Sequence, residues 1–244
     1  GAIAFAVAFH LAQRGRAKDA LPDDREISRT IDAARRMARS TNPLLVAAGD
    51  KAVFRPSREA GRCGEGFIPY RTAGKFLVAY SDPVCPPGCE REILAAFLDE
   101  AGASDRDAIL YQISAAMLPV AHDLGFTFFK LGEEAIVDLA RFDLKGNKAK
   151  SWRHALNGVE KAGGAFEIVE GEALRPLLPE LRSVSDEWLA QKHVSEKRFS
   201  IGRFDEGYLL RSPCGLVRDD AGAVVAFANL LEGPFASEMS VDLM

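Results

Sequence analysis

Between residues 145 and 161 the chain gathers Lys145, Lys148, Lys150, Arg153, His154 and Lys161 around Trp152, Leu156 and Val159, with Glu160 as the one acidic side chain after Lys145. Helical spacing sets Lys150, Arg153, His154 and Lys161 on one broad face. Such a face is either a solvated surface or a helix that tracks phosphates, in which Trp152 packs in a core or stacks on a base. The second reading gives Lys148, Lys150, Arg153 and Lys161 a polyanion to hold. Other chemistries find no support. There is no Gly-x-x-x-x-Gly-Lys-Ser/Thr loop, no Gly-x-Gly-x-x-Gly after a strand and no Gly-x-Ser-x-Gly elbow. His10, His122, His154 and His193 lack partners at metal-ligand spacing, so no metal is expected. Cys63, Cys85, Cys89 and Cys214 are too scattered for a disulfide framework, and all four are expected as free thiols.

The chain that carries these side chains has 244 residues, enough for one large domain or two small ones. A hydrophobic fraction of 48% with 27% charged residues excludes disorder. The net charge of −4 is unevenly spread: +5 over residues 1–62, −7 over 63–144, +4 over 145–161 and −6 over 162–244. Two basic stretches therefore punctuate two acidic bodies, and a segregated pattern can face polyanions despite a negative total. Residues 1–12 are almost wholly apolar and are followed by Arg14, Arg16 and Lys18. Spanning a bilayer takes roughly 20 residues. This run is thus either a buried helix or the last turns of a membrane helix, with a basic flank that fits a cytoplasmic exit. Gly at position 1 and a stop in mid-strand at Met244 read as a fragment of a longer chain.

Five segments follow. Residues 1–20 are the apolar run and its flank. Residues 21–48 hold a polar linker and a helix capped by Ser28 and running to Arg39, with Ile31, Ala34 and Ala38 on one face. Residues 49–144 read as a β-β-α-β-α-β-β body: strands near 66–71, 75–80, 108–113, 126–130 and 135–139, and helices over 90–101 and 114–124. Residues 145–164 form the basic connecting helix, ended by Gly163-Gly164. Residues 165–244 restart the pattern with a strand at 165–169, a helix over 174–190, a hairpin across 219–222 and a strand from 238. The expected class is α/β, with two tandem N-acetyltransferase-like lobes built on mixed sheets, the second incomplete. The glutamine- or arginine-led pyrophosphate loop of acyl-CoA users is missing, and Arg58-Glu59-Ala60-Gly61-Arg62-Cys63 fails at its last position. No CoA is expected.

Seven strings then occur in order: Gly49-Asp50-Lys51, Asp82-Pro83-Val84, Lys130-Leu131-Gly132-Glu133-Glu134-Ala135, Val184-Ser185-Asp186-x-Trp188-Leu189, Glu196-Lys197-x-Phe199-Ser200, Ala226-Phe227-Ala228-Asn229 and Ser240-Val241-Asp242-Leu243-Met244. Together they resemble the C-terminal catalytic domain of the aminoacyl-phosphatidylglycerol synthases, the multiple peptide resistance factor family. The resemblance implies a multi-pass enzyme of the bacterial inner membrane with its catalytic domain in the cytoplasm. Such an enzyme moves a lysyl or alanyl group from aminoacyl-tRNA to the glycerol hydroxyl of phosphatidylglycerol, lowering membrane negative charge and giving resistance to cationic antimicrobial peptides. It implies no cofactor, since the tRNA ester is itself the acyl donor. The implied partners are aminoacyl-tRNA, phosphatidylglycerol and the membrane, and a homo-oligomer is compatible with it.

The family carries an Asp-x-x-Arg pair at the string matching Asp242-Leu243-Met244, which makes Asp242 the first choice for a catalytic or ammonium-binding carboxylate. The arginine would fall at position 245, beyond this chain. Glu238, four residues earlier, shares a strand face with Asp242 by its even spacing and is the second catalytic candidate. Asp186, Lys192, Glu196 and Lys197 are substrate-binding candidates from the long helix and the string after it, and Tyr208 and Asn229 are polar positioning candidates. The basic helix would meet tRNA phosphates. With its second lobe incomplete, this stretch alone is expected to be inactive. The alternatives are a soluble tRNA-dependent transferase acting on a peptide or peptidoglycan precursor, and a non-catalytic lipid-binding module.

Overall fold

Asp23 accepts a hydrogen bond from the Glu26 backbone N–H at 2.8 Å and so caps helix α1, Asp24–Met37. The computed structural model describes residues 19–234 and 237–244, with side chains 58–60 excepted. The apolar run of residues 1–12 and its basic flank lie outside the described residues, and no described helix is long and apolar enough to cross a membrane. The helix starts earlier than its sequence predicts, because Asp23 outcompetes Ser28, whose hydroxyl instead donates back to Asp24 O. Ile27, Ile31 and Ala34 face inward while Arg29, Arg35 and Arg36 lie toward solvent. A 3-10 segment, Asn42–Ala48, follows, buried from Pro43 onward.

The first sheet has the order β1-β2-β3-β4, from Ala52–Phe54, Ile68–Ala73, Phe76–Tyr80 and Asp107–Tyr111. Its first two pairings are antiparallel. The third is parallel, reached through helix α2, Glu90–Ala103. Period-2 alternation in β3 builds two cores at once. Leu77 and Ala79 join Ile68, Ile93, Leu94 and Phe97 under α2. Val78 and Tyr80 join Ile27, Ile31, Leu44 and Val46 on the other face. That second core also takes in Phe199, Tyr208 and Leu231 from the far half of the sequence, so one apolar cluster belongs to both halves. Each fully buried Ile, Leu or Phe contributes roughly 1.5–3 kcal/mol relative to exposure.

Helix α3, Leu118–Asp123, ends at Gly125, whose positive φ closes it. Helix α4, Lys150–Lys161, carries the basic cluster. A second sheet of order β5-β6-β7-β8 then forms from Ala165–Val169, Cys214–Arg218, Val224–Glu232 and Met239–Val241. Helix α5, Leu178–Lys192, places Leu178 and Leu181 against Leu216, Val224 and Phe227. A single helical turn, α6, spans Glu206–Leu209.

Four expectations need correction. The second sheet is antiparallel throughout, and only the first is mixed. Residues 126–130 and 135–139 form no strands. Among the described residues no strand pairs with them, and Phe129, Ile136 and Leu139 stand exposed. The helix expected from 174 opens as a 3-10 segment, Gly171–Leu177, and α5 starts just before Pro179, where a missing N–H costs nothing. Lastly, Cys63 is bonded to Cys89, with Cα atoms 5.4 Å apart. Residues 58–65 fold back over the start of α2 and join cysteines 26 positions apart, a contact that spacing alone does not reveal. Cys85 and Cys214 are free and buried, and burial pushes their thiols up to about 12 and about 11.

Candidate active site

Gly49 ends the 3-10 segment in the left-handed region, at φ 65°, with Ile27 Cδ1 only 3.3 Å from where a Cβ would sit. Few other residues fit there. The reversal turns the next two side chains inward. Asp50 is 6% exposed and Lys51 wholly buried, and Lys51 Nζ lies 2.7 Å from Asp50 Oδ1 and 3.1 Å from Leu45 O. Lys51 Nζ also stands 5.4 Å from the centre of the Tyr80 ring and 6.0 Å from that of Phe199, within cation–π range. Tyr80, Tyr111 and Phe199 contact one another at centroid distances of 5.5–6.4 Å and wall the pair off from water. Burial pushes the Asp50 carboxyl up. The adjacent Lys51 ammonium, the Phe199 N–H and Arg71 outweigh that and hold it below the usual carboxylate value. Burial also pulls the Lys51 ammonium below its ordinary value, against the attraction of Asp50.

Facing this pair from the second half is a turn, residues 196–204, pinned by three carboxylates. Glu196 Oε1 accepts from Phe204 N–H at 2.8 Å, Asp50 Oδ2 from Phe199 N–H at 2.9 Å, and the Asp242 oxygens from Gly202 N–H at 2.9 and 3.0 Å. Asp242 Oδ2 also accepts from the Tyr208 hydroxyl at 2.6 Å. Burial first, then the Asp242 charge, pushes the Tyr208 phenol far above its ordinary value. It is a permanent donor at neutral pH. Asn229 flanks it, fully buried, with Oδ1 accepting from Leu243 N–H at 2.7 Å and its side chain against the Tyr208 phenol, which it pulls down less than burial and Asp242 push it up. A cleft lined by Ile31, Leu44, Leu230 and Leu231 together with Arg35, Arg211 and Glu232 opens beside Tyr208.

The structure therefore unites Asp242, Tyr208 and Asn229, with Glu196 shaping the turn beside them. Glu238 goes elsewhere. Its Oε1 accepts from both the N–H and the hydroxyl of Thr41, at 3.0 and 2.8 Å, clipping the end of the second sheet to the start of the 3-10 segment. Asp186, Lys192 and Lys197 are exposed, on α5 or in the loop after it. On the basic helix and just before it, Lys148, Lys150 and Lys161 are exposed, whereas the Arg153 guanidinium donates to Leu144 O and Gly146 O and is spent on the preceding loop. Asp50 and Lys51 stand in the sequence within the first of the seven strings, with no role attached to them, and Gly202 has no such trace; nothing in one sequence says that the pair is buried. Among the described residues no three His, Cys, Asp or Glu side chains are grouped to hold a metal.

A half-buried carboxylate, braced by a tyrosine and a backbone N–H where the two halves share a core, is of a kind suited to hold a cationic group, and a cleft opens beside it. Residues 38–244 match the family described as "Phosphatidylglycerol lysyltransferase, C-terminal". Phosphatidylglycerol lysyltransferases of Staphylococcus aureus (strain MSSA476) and Staphylococcus haemolyticus (strain JCSC1435) are 36% and 35% identical over 200 residues, covering 82% of this chain and 23% of each relative. The chain thus spans about a quarter of the length of these relatives. The structure of L-PGS from Bacillus licheniformis superposes with a TM-score of 0.82 at 33% identity, over 94% of this chain and 70% of that one. The C-terminal domain of a putative lysylphosphatidylglycerol synthetase from Agrobacterium fabrum gives 0.80 at 36% identity, over 90% and 67%. The chain belongs to the phosphatidylglycerol lysyltransferase family, within its C-terminal catalytic domain.

Proposed function

We propose that this chain carries the aminoacyl-transfer site of an enzyme that moves a lysyl or alanyl group from aminoacyl-tRNA to phosphatidylglycerol. The observation that carries the reading is Asp242. It lies in the second half of a chain whose relatives are named for lysyl transfer to this lipid, with both oxygens already oriented by Gly202 and Tyr208. A carboxylate committed to these donors suits the holding of a cation, here the α-ammonium of the aminoacyl ester, better than the carrying of a proton. The reaction exchanges one ester for another. A lipid glycerol hydroxyl attacks the aminoacyl carbonyl, and the tetrahedral intermediate collapses with release of the tRNA ribose hydroxyl, which takes up the proton the glycerol lost. No ATP, CoA or redox partner enters this balance. The Tyr208 phenol, at the edge of the cleft, and the buried Asn229 amide behind it serve as polar positioning groups.

In this reading Lys148, Lys150 and Lys161 meet tRNA phosphates, and the cleft takes the anionic lipid with Arg35, while Arg211 is held by Asp24 and the Gly207 carbonyl. The two sheets are tandem N-acetyltransferase-like lobes. The whole protein is anchored in the bacterial inner membrane with this domain on the cytoplasmic side, and its product lowers the surface charge that draws cationic peptides. Membranes carrying the full-length protein, supplied separately with labelled lysyl-tRNA and alanyl-tRNA, should yield labelled aminoacyl-phosphatidylglycerol from at least one. Label in peptide or peptidoglycan precursor, with none in lipid, would sink the lipid assignment.

A further inference from the structure

Asp50 and Lys51 sit on the first half's side of the junction, while the residues proposed for transfer lie on the second. The pair nevertheless reaches them through one short stretch of backbone. Asp50 uses both oxygens, Oδ1 for Lys51 and Oδ2 for Phe199 N–H. Phe199 is held at φ 77°, in the left-handed region that an aromatic residue rarely adopts. Such a conformation persists where its surroundings over-determine it. Here the Asp50 hydrogen bond and the packing of the Phe199 ring on Tyr80 and Tyr111 do so. Three residues on, Gly202 donates its N–H to Asp242. The Lys51 ammonium lies within electrostatic reach of Asp242 as well as of Asp50 and Arg71.

As a stability device this would be a poor choice. Charges removed from water rarely do better than apolar side chains of the same volume, and buried pairs survive where they set a geometry. We propose that the buried Asp50–Lys51 pair is a positioning device for transfer, holding the 199–202 turn so that the Gly202 N–H fixes the Asp242 carboxylate for the incoming ammonium. The pair acts through Asp242 and touches no substrate. The inference rests on the reading of Asp242 given above.

A double-mutant cycle in the full-length protein tests it, with Asp50→Asn and Tyr208→Phe as the singles and kcat for lipid aminoacylation as the readout, beside the thermal midpoint of each variant. Both substitutions loosen the same carboxylate. Each single should therefore lower kcat by roughly tenfold, and the double should fall no more than about threefold below the worse single. Losses that multiply, or an Asp50→Asn enzyme that unfolds earlier yet keeps wild-type kcat per folded molecule, would overturn the proposal in favour of a purely structural pair. Should Asp50→Asn fail to fold, Lys51→Arg keeps the positive charge while displacing it, and carries the same cycle with the same two outcomes. Asp242→Asn separates the levels. Transfer that survives Asp242→Asn removes the parent reading, whereas transfer lost in Asp242→Asn but intact in Asp50→Asn removes this inference alone.

Discussion

Gly202 has no room for a side chain. A Cβ at this position would overlap Asp242 Oδ2 and lie 2.6 Å from Tyr208 Cε1. Glycine is required by a close approach rather than by an unusual φ, and the approach is what lets one backbone N–H serve both oxygens of Asp242. Gly202→Ala should push the carboxylate off its donors, costing about 1–3 kcal/mol of stability and at least roughly tenfold in transfer rate. Thermal denaturation and the lipid assay on the same preparation check this. Wild-type values in both would mean that the turn yields freely and that Asp242 needs no fixed seat. At this scale the sequence is partly legible. Asp242, Tyr208 and Asn229 are named from it and meet in space. Glu238 is named from strand periodicity, which holds over so short an interval only if both flanks stay regular. Strand β8 is three residues long, and both carboxylates lie just outside it. Glu238 turns to Thr41 instead.

Helix α4 shows how element geometry sorts residues that look alike in sequence. Lys150 and Lys161 are eleven positions apart, close to three full turns, and so project from one side of the helix. Arg153 points back to the carbonyls of the loop before it. Replacing Lys150 and Lys161 together by alanine should weaken tRNA binding at every salt concentration. It should also reduce the slope of log affinity against log salt by about 1.4–1.8, at roughly 0.7–0.9 for each phosphate that a lysine no longer neutralises. Filter binding across a salt series measures it, and an unchanged slope would return the helix to an ordinary solvated surface. The lone exposed aromatic of the helix, Trp152, packs edge-on to Phe142 at 6.5 Å and enters no core. The sequence leaves core packing and base stacking both open for it. Other elements, among them β5 and the β6–β7 hairpin, follow from alternation and turn residues alone. Residues 126–139 have strand-like composition but no described neighbour to pair with, and composition cannot supply a partner.

At the scale of the whole molecule, the chain is two sheets joined by a shared core and by charged groups that reach across between the halves. Arg211 pairs with Asp24, Glu238 with Thr41, and Asp50 with Phe199. None of these is visible as a motif, because each joins residues 149 or more positions apart. The periodicity of single elements reports which side chains are buried, but it carries no information on which distant element covers them. That is why the candidate site emerges from the sequence as scattered carboxylates and from the structure as one junction. It also explains the weak message of the net charge, since the charges that matter are either buried in pairs or gathered on one helix. Asp242, as the anchor for the aminoacyl ammonium, is the centre of the proposed chemistry. Asp242→Asn keeps the shape and an acceptor but removes the charge. In membranes carrying the full-length protein it should lower kcat/KM for aminoacyl-phosphatidylglycerol synthesis by about a hundredfold or more while the domain stays folded. Transfer at the wild-type rate would contradict that role.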